Sequence, residues 1–174
     1  MAAPELISEP TPKPIHTISL FVHNKPGVLV RVALVFARRG YNLESLVVSP
    51  AAEGQFSRMT ITCTGDPQTL EQIIRQLHKL IDVVRAVDHT GDAAYQSEIA
   101  LVKVACGLND RTPVLQIAEH YNAKVVDYGP ESLMLRIFGS SEKLDAFIEL
   151  VRPYGLRELV RSGKILMARG LRET

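Results

Sequence analysis

The chain has 174 residues, of which 46% are hydrophobic and 22% charged, and its formal net charge is +1. This composition is typical of a soluble globular protein with room for one large or two small domains. The near-neutral charge argues against nucleic acid as a partner, because phosphate binding normally needs a concentrated excess of Lys and Arg. No apolar run approaches the ~20 residues that a membrane-spanning helix needs, so no membrane contact is expected.

Residues 1–14 contain four prolines and lack the apolar stretch of a signal peptide. We therefore expect them to form a disordered tail and the protein to be cytoplasmic. The two cysteines, Cys63 and Cys106, lie in apolar, strand-like runs without CxxC spacing. They are expected to be buried thiols in a reducing compartment, and neither a disulfide nor a metal site is predicted.

The first predicted strand, residues 16–23, alternates apolar and polar residues, with Ile18, Leu20 and Val22 on one face. The loop 24–27 breaks this strand, and the apolar spacing that follows predicts a helix over 27–39. The unpaired N–H groups at a helix start suit a carboxylate or a phosphate, although such a loop is also an ordinary way to begin a helix.

The next elements are predicted as strands 42–50 and 55–64, a helix 67–80 and a strand 82–89. This helix has the clearest pattern, with Asp66 as the expected N-cap and Pro67 at its first position. Its apolar stripe consists of Leu70, Ile73, Ile74, Leu77 and Ile81.

The same order of elements returns after a break at 91–94. The predicted elements are a strand 97–106, a helix 113–121 capped by Thr112, strands 123–128 and 132–138, a helix 141–151 and a strand 155–161. A Tyr-Asn pair at 41–42 recurs at 121–122, each time at the same distance before a proline. The fold class is therefore predicted as α+β, with two tandem βαββαβ (ferredoxin-like) units.

The units are expected to span 16–91 and 95–163, with residues 95–174 forming the second domain. Each unit should form one antiparallel sheet with both helices on one face. Four apolar residues are assigned to the uncovered faces: Met59, Ile61, Leu133 and Leu135. Because such faces are too apolar for full exposure, a partner or self-association is expected.

This fold hosts unrelated functions, so local motifs must discriminate between them. Residues 58–63 of the third strand contain no aromatic residue to stack RNA bases, and the first loop lacks the CxxC of a heavy-metal carrier. Nucleotide-binding glycine motifs, GxSxG and metal-binding histidine spacings are also missing. Cys63 would be a poor nucleophile, because burial in a strand raises its pKa. No catalytic residue is therefore predicted.

One stretch, Asn24-Lys25-Pro26-Gly27-Val28-Leu29 through Gly40-Tyr41-Asn42-Leu43-Glu44, resembles the first ACT motif of the regulatory small subunit of acetohydroxyacid (acetolactate) synthase. The likeness runs from about residue 16 to 170, with further matches at 57–61, 77–83, 98–104, 143–147 and 161–163. It departs at 120–124, where the family usually carries a Phe-Arg pair and this chain has His120-Tyr121-Asn122-Ala123-Lys124.

The resemblance implies a non-catalytic regulatory subunit that binds and activates the catalytic large subunit. It also implies feedback inhibition by a branched-chain amino acid, usually valine. The thiamine diphosphate, Mg²⁺ and FAD of that enzyme would belong to the large subunit, with no cofactor in this chain. In the family the effector lies between two ACT units of a small-subunit homodimer, so residues 16–91 are expected to bind the effector and to dimerise.

The residues predicted to bind the effector are Asn24, Pro26, Gly27, Val28, Leu29, Asn42 and Leu43. The N–H groups of Gly27 and Val28 can hold a carboxylate, and the side-chain oxygens of Asn24 and Asn42 can accept from an ammonium group. Leu29, with Val22 or Val48, is expected to limit the size of the bound side chain. From spacing alone Asn24 is an equally good helix cap and Asn42 an equally good turn residue; the resemblance favours effector binding.

In the second unit a structural role is favoured for Asn122. The loop 107–111 of the second unit lacks the Pro-Gly pair, so no effector is predicted there.

The basic run over 152–172 is expected to be a solvated face, or else a docking surface for an acidic partner. The alternative functions are a stand-alone amino-acid-sensing ACT protein that regulates another enzyme or transcription, and an enzyme in its own right. A regulator of transcription would need a helix-turn-helix, and no region of the chain is left over to form one.

Overall fold

Two βαββαβ units follow one another along residues 14–174, the part of the chain that the computed structural model describes. The predicted tail, residues 1–14, lies outside the described residues except for Pro14. Between residues 14 and 174, no helix is long and apolar enough to cross a membrane.

The first unit forms a four-stranded antiparallel sheet in the order β2-β3-β1-β4, so that β2 and β4 are its edges. Its elements are β1 (Ile15–His23), α1 (Val28–Ala37), β2 (Asn42–Pro50), β3 (Phe56–Thr64), α2 (Pro67–Leu77) and β4 (Val83–Asp88). The predicted apolar face of β1 is buried against the helices, with Ile18, Leu20 and Val22 all at most 2% exposed.

The second unit repeats this order as β6-β7-β5-β8, with a separate core beneath its two helices. Its elements are β5 (Tyr95–Val104), α3 (Leu108–His120), β6 (Lys124–Tyr128), β7 (Leu133–Gly139), α4 (Ser141–Val151), β8 (Leu156–Arg161) and β9 (Ile165–Met167). The predicted α+β class of two tandem ferredoxin-like units is confirmed. The short strand β9, which pairs with the first residues of β5, was not predicted.

The start of α2 forms as predicted, because the Asp66 side chain accepts a hydrogen bond of 2.8 Å from the Thr69 N–H and Pro67 opens the helix. The predicted end of its apolar stripe is wrong. The helix stops at Leu77, and Ile81 is 92% exposed. Leu80 packs against the core in its place, because the turn that follows α2 is tightened by a hydrogen bond from the Leu80 N–H to the Leu77 carbonyl.

The prediction for α3 is also wrong at its N-terminus, because the helix begins at Leu108 and Thr112 does not cap it. Pro113 is the sixth residue of this helix, where a proline removes one backbone hydrogen bond of the helix. The additional turn is held by Arg111, which is 6% exposed and donates to the carbonyl oxygen of Gly129 in the β6–β7 connection.

The two Tyr-Asn pairs are not structurally equivalent. At the end of α1 the left-handed residue is Gly40, and the Tyr41 N–H donates to the Phe36 carbonyl at 3.1 Å. At the end of α3 the left-handed residue is Asn122, with φ of 54°, and the Ala123 N–H makes the corresponding bond. Asn122 therefore has the position of Gly40, and the residue that corresponds to Asn42 is Lys124.

The assignment of apolar residues to the outer sheet faces is wrong. Met59, Ile61, Leu133 and Leu135 are at most 3% exposed and belong to the two cores. The register explains this for the first sheet, since Ile18 pairs with Ile61 and puts both on the helix side. Exposed apolar residues do occur on the outer face of the second sheet, at Ile99, Leu101, Phe138 and Val160.

Tyr41→Phe is expected to lower the free energy of unfolding by about 1 kcal/mol, the usual net contribution of one hydrogen bond. The Tyr41 hydroxyl donates to the Asp66 carbonyl, joining the chain before β2 to the start of α2. Urea unfolding followed by far-UV circular dichroism measures the change. The control is Tyr128→Phe, since Tyr128 is 60% exposed and should unfold like the wild type. Equal losses in both variants would contradict the role given to the Tyr41 hydroxyl.

Candidate functional site

The loop between β1 and α1 is fixed by backbone hydrogen bonds to two neighbouring segments. The His23 N–H donates to the Asp82 carbonyl at 2.9 Å, and the Asn24 N–H donates to the Gln55 carbonyl at 2.8 Å. The side-chain amide of Asn24 donates to the Gly54 carbonyl at 3.3 Å. The amide NH2 group of Asn24 therefore donates one hydrogen bond to the β2–β3 hairpin, and the amide oxygen is available as an acceptor.

The start of α1 lacks a side-chain cap among the described residues. Its N-cap residue is Gly27, whose φ of 82° is left-handed and disfavours any side chain. The Val28 N–H reaches the Lys25 carbonyl only at 3.4 Å, a long hydrogen bond. Asn24 is thus not the cap of this helix, and the N–H groups at its start can bind an anion.

The loop also has a positively charged neighbour. Arg31 forms an ion pair with Asp82, and its side chain remains 48% exposed. A Cβ atom on Gly27 would lie 3.8 Å from the Arg31 Nη1 atom, so the guanidinium group is close to the helix start. The partial positive charge of the helix N-terminus and this cation together favour a carboxylate at Gly27.

The residues proposed to limit the effector side chain are placed differently by the structure. Val22 is fully buried in the core and cannot line a surface site. Leu29 and Val48 are 41% and 43% exposed, so both can contact a bound molecule. The Val28 side chain is only 2% exposed, which leaves its N–H as the group available at the site. Pro26 is exposed and fixes the backbone just before Gly27.

Asn42 and Leu43 lie at the opposite end of the sheet from this loop. His23 pairs with Phe56 at one end of β3, whereas Asn42 pairs with Thr64 at the other. Eight residues of extended chain separate these two positions, a distance of roughly 26 Å. The Asn42 amide donates to Glu44 at 3.4 Å, and Leu43 packs half-buried at the border of the core. Within one chain, therefore, the structure does not bring Asn24 and Asn42 together.

A second polar cluster, which the sequence did not indicate, joins Ser19, His89 and Asp92. The Ser19 hydroxyl lies 2.7 Å from the His89 Nε2 atom, and the His89 Nδ1 atom lies 3.1 Å from the Asp92 carboxylate. The order matches a serine nucleophile, a base and an orienting acid. Ser19 is only 6% exposed, however, and it lies on the central strand β1, whose neighbours occupy its N–H groups on both sides. The cluster therefore has neither access nor an oxyanion hole.

The remaining candidate chemistry is also structural. Both cysteines are buried as predicted, and burial raises the pKa of the Cys63 thiol to about 11, with a smaller contribution from Asp88. His78 is exposed at the end of α2. Across residues 14–174, no group of three or more His, Cys, Asp and Glu residues is arranged to hold a metal ion.

A cleft of about 570 Å³ lies between the two units. It is lined by Glu44, Thr62 and Thr64 of the first unit and by Glu98, Asp145 and Arg161 of the second. Arg161 is already bound by the carboxylates of Glu98 and Asp145, and Glu44 accepts from Thr64 at 3.1 Å. The lining carries three carboxylates, those of Glu44, Glu98 and Asp145, against two cations, Arg161 and Lys164, so the uncapped start of α1 is the better candidate for binding a carboxylate.

Both halves of the chain match known protein-family models. Residues 18–85 match the ACT domain of acetohydroxyacid synthase small subunits and similar proteins, and residues 97–170 match a domain described as the small subunit of acetolactate synthase. These ranges correspond closely to the two units of the fold.

Curated relatives and a solved structure agree with these matches. The chain is 42% identical over 159 residues to the acetolactate synthase small subunit of Mycolicibacterium smegmatis, covering 91% of this chain and 94% of the relative. It is 41% identical over 155 residues to a probable acetolactate synthase small subunit of Archaeoglobus fulgidus, covering 89% and 97%. The crystal structure of the small subunit from Thermotoga maritima superposes with a TM-score of 0.82 at 35% identity, covering 90% and 98%. The chain belongs to the family of acetolactate synthase small subunits.

Proposed function

We propose that this chain is a non-catalytic regulatory subunit that binds and activates the large subunit of acetolactate synthase. In this role it makes the enzyme sensitive to feedback inhibition by a branched-chain amino acid, with valine as the first candidate. The observation that carries the proposal is the uncapped start of α1 at Gly27, beside Arg31, in a chain of this family. Thiamine diphosphate, Mg²⁺ and FAD would be held by the large subunit.

The separation of Asn24 from Asn42 supports a site shared by two copies of the chain. β2 is an edge strand and, among the described residues, pairs only with β3. If β2 pairs antiparallel with β2 of a second copy, the Asn42 end of one strand meets the Pro50 end of the other. The hairpin at that end holds Asn24 through Gly54 and Gln55. The two groups of predicted residues would then meet across the dimer.

The apolar surface around this edge supports the same arrangement. Exposed apolar side chains on α1 and β2 include Leu29, Val30, Leu34 and Val48, with exposed fractions of 41% to 61%. Pairing of two edge strands would cover these residues together with the free backbone groups of β2. We therefore propose a homodimer with two-fold symmetry and two equivalent effector sites.

The chemistry of such a site suits a free amino acid. The N–H groups of Gly27 and Val28 would bind the carboxylate, and the side-chain oxygens of Asn24 and of Asn42 from the second copy would accept from the ammonium group. Leu29 and Val48 would contact the aliphatic side chain. Each hydrogen bond to a charged group contributes about 1.5–3 kcal/mol, so Asn24 and Asn42 should both be needed for tight binding.

Isothermal titration of the isolated protein with valine, leucine and isoleucine tests the effector proposal. We expect heat of binding for at least one of the three, with one site per chain. The amino acid that binds should also inhibit the holoenzyme, through a coupling of about 1–3 kcal/mol between the two subunits. The absence of binding heat for all three at millimolar concentration would contradict the proposal.

A pull-down with the large subunit, with and without valine, discriminates this function from a stand-alone ACT sensor. Retrieval of the large subunit supports the regulatory role, whereas its absence under both conditions would favour a sensor of another enzyme or of transcription.

An acetolactate assay tests whether the chain is itself an enzyme. The isolated chain should form no acetolactate. Acetolactate formation without a large subunit would mean that the chain is an enzyme.

A further inference from the structure

The last residues of the chain, 162–174, cross the outer face of the first sheet; we call them the C-terminal segment. At its start, Gly163 is buried against β2, and a Cβ atom there would lie 2.8 Å from the Ser45 Cβ atom. At its end, the Thr174 carbonyl accepts from Arg58 on β3 at 3.2 Å, and Glu173 pairs with Arg85 on β4 at 3.0 Å. The segment thus contacts the sheet from one edge strand to the other.

The same segment is firmly attached to the second unit. Its residues Ile165–Met167 form β9 and pair with β5. Arg161, immediately before it, donates two hydrogen bonds of 2.9 and 2.6 Å to Glu98, whose carboxylate is buried. Arg161 also binds Asp145 on α4. Buried ion pairs of this kind fix the geometry of the groups that they join, because separating them leaves an uncompensated charge.

On the first unit, the contacts of the C-terminal segment lead to both groups of proposed effector residues. Gly163 touches β2, the strand that begins with Asn42 and forms the proposed dimer edge. Arg58 lies over the Phe21 ring at 5.0 Å, and Phe21 stacks on Phe56 at 4.8 Å. Phe56 in turn contacts the His23 ring, at 5.0 Å, and His23 directly precedes Asn24.

We propose that the docking of the C-terminal segment on the first sheet transmits effector binding to the second unit, with Gly163 setting the close contact. The inference rests on the proposed effector function and deepens it by naming the route of regulation. Because β2 touches the segment directly and the aromatic stack reaches it through Arg58, a shift of either on effector binding changes how the second unit is held. The coupling free energy that such a contact transmits cannot exceed the difference in effector-binding free energy between the two arrangements of the segment on the first sheet.

Gly163→Val in the 174-residue chain tests the proposal, with Gly170→Val as the matched control. Both glycines have a left-handed backbone conformation, with φ of 81° for Gly163 and 70° for Gly170. Among the described residues, however, no atom lies within 4 Å of a Cβ atom placed on Gly170. Valine binding is measured by titration calorimetry, and inhibition is measured on the holoenzyme. We expect Gly163→Val to bind valine with an affinity within about threefold of the wild type. Its inhibitory concentration should rise by about tenfold or more, while Gly170→Val behaves as the wild type.

Arg58→Met is the second variant, because it removes the contact with Thr174 without straining the backbone. It should raise the inhibitory concentration in the same direction while valine still binds. Wild-type inhibition in both variants would overturn the proposal, and so would joint loss of binding and inhibition in a variant that keeps its circular dichroism spectrum. If the wild-type chain itself bound no valine, the proposed effector function would fail first, and this inference with it.

Discussion

Gly27→Asp is expected to weaken effector binding by about 100-fold or more and to abolish feedback inhibition, while activation of the large subunit persists. Gly27 has a φ of 82°, so a side chain there costs roughly 1–2 kcal/mol in backbone strain. The new carboxylate would also occupy the N–H groups that are proposed to bind the carboxylate of the effector, and it would repel that carboxylate. Titration calorimetry and inhibition of the holoenzyme measure the two effects.

Gly27→Asn is the matched control, because it has the same backbone cost without the negative charge. Its affinity for the effector should fall by less than that of Gly27→Asp. Equal losses in the two variants would assign the effect to strain alone and remove the argument for a carboxylate site. Loss of activation in Gly27→Asp with unchanged folding would show that the loop also contributes to contact with the large subunit.

Asn42→Ala is expected to weaken effector binding by roughly 10- to 100-fold, the range that follows from losing one hydrogen bond to a charged group. The structure supports an effect on binding and not on folding, since Asn42 is exposed and its amide bonds only weakly to Glu44, at 3.4 Å. Asn122→Gly is the control in the second unit, because glycine accepts the left-handed backbone of Asn122. It should leave effector binding unchanged, whereas a comparable loss would place an effector contact in the second unit.

Hydrophobic periodicity was sufficient to predict the fold, because each strand and helix buries one face against a core of its own unit. Periodicity failed where tertiary contacts decide the structure. The first turn of α3 depends on the bond from Arg111 to the Gly129 carbonyl, which no local pattern indicates. The strand β9 has only three residues, and its position depends on pairing with Tyr95–Ser97, about 70 residues earlier along the chain.

The candidate site was predicted only in part from the sequence. The loop at Gly27 follows from Pro-Gly chemistry at a strand–helix junction, and the structure agrees with an uncapped helix start. The distance between Asn24 and Asn42 could not be predicted from their spacing, because it depends on the pairing of β1 and β2 with opposite ends of β3. Half of the basic run over 152–172 is paired within the molecule, since Arg152, Arg161 and Arg172 form ion pairs.

We propose that each effector site combines the Gly27 loop of one chain with Asn42 of another. The most direct test of this proposal is a mixed dimer, in which a Gly27→Asp chain and an Asn42→Ala chain are co-expressed with different tags and purified in tandem. In such a dimer one site carries both substitutions and the other carries neither. We expect neither parent dimer to bind valine tightly, and the mixed dimer to bind one valine per two chains with wild-type affinity. A mixed dimer without any wild-type site would contradict the shared site and place all effector contacts within a single chain.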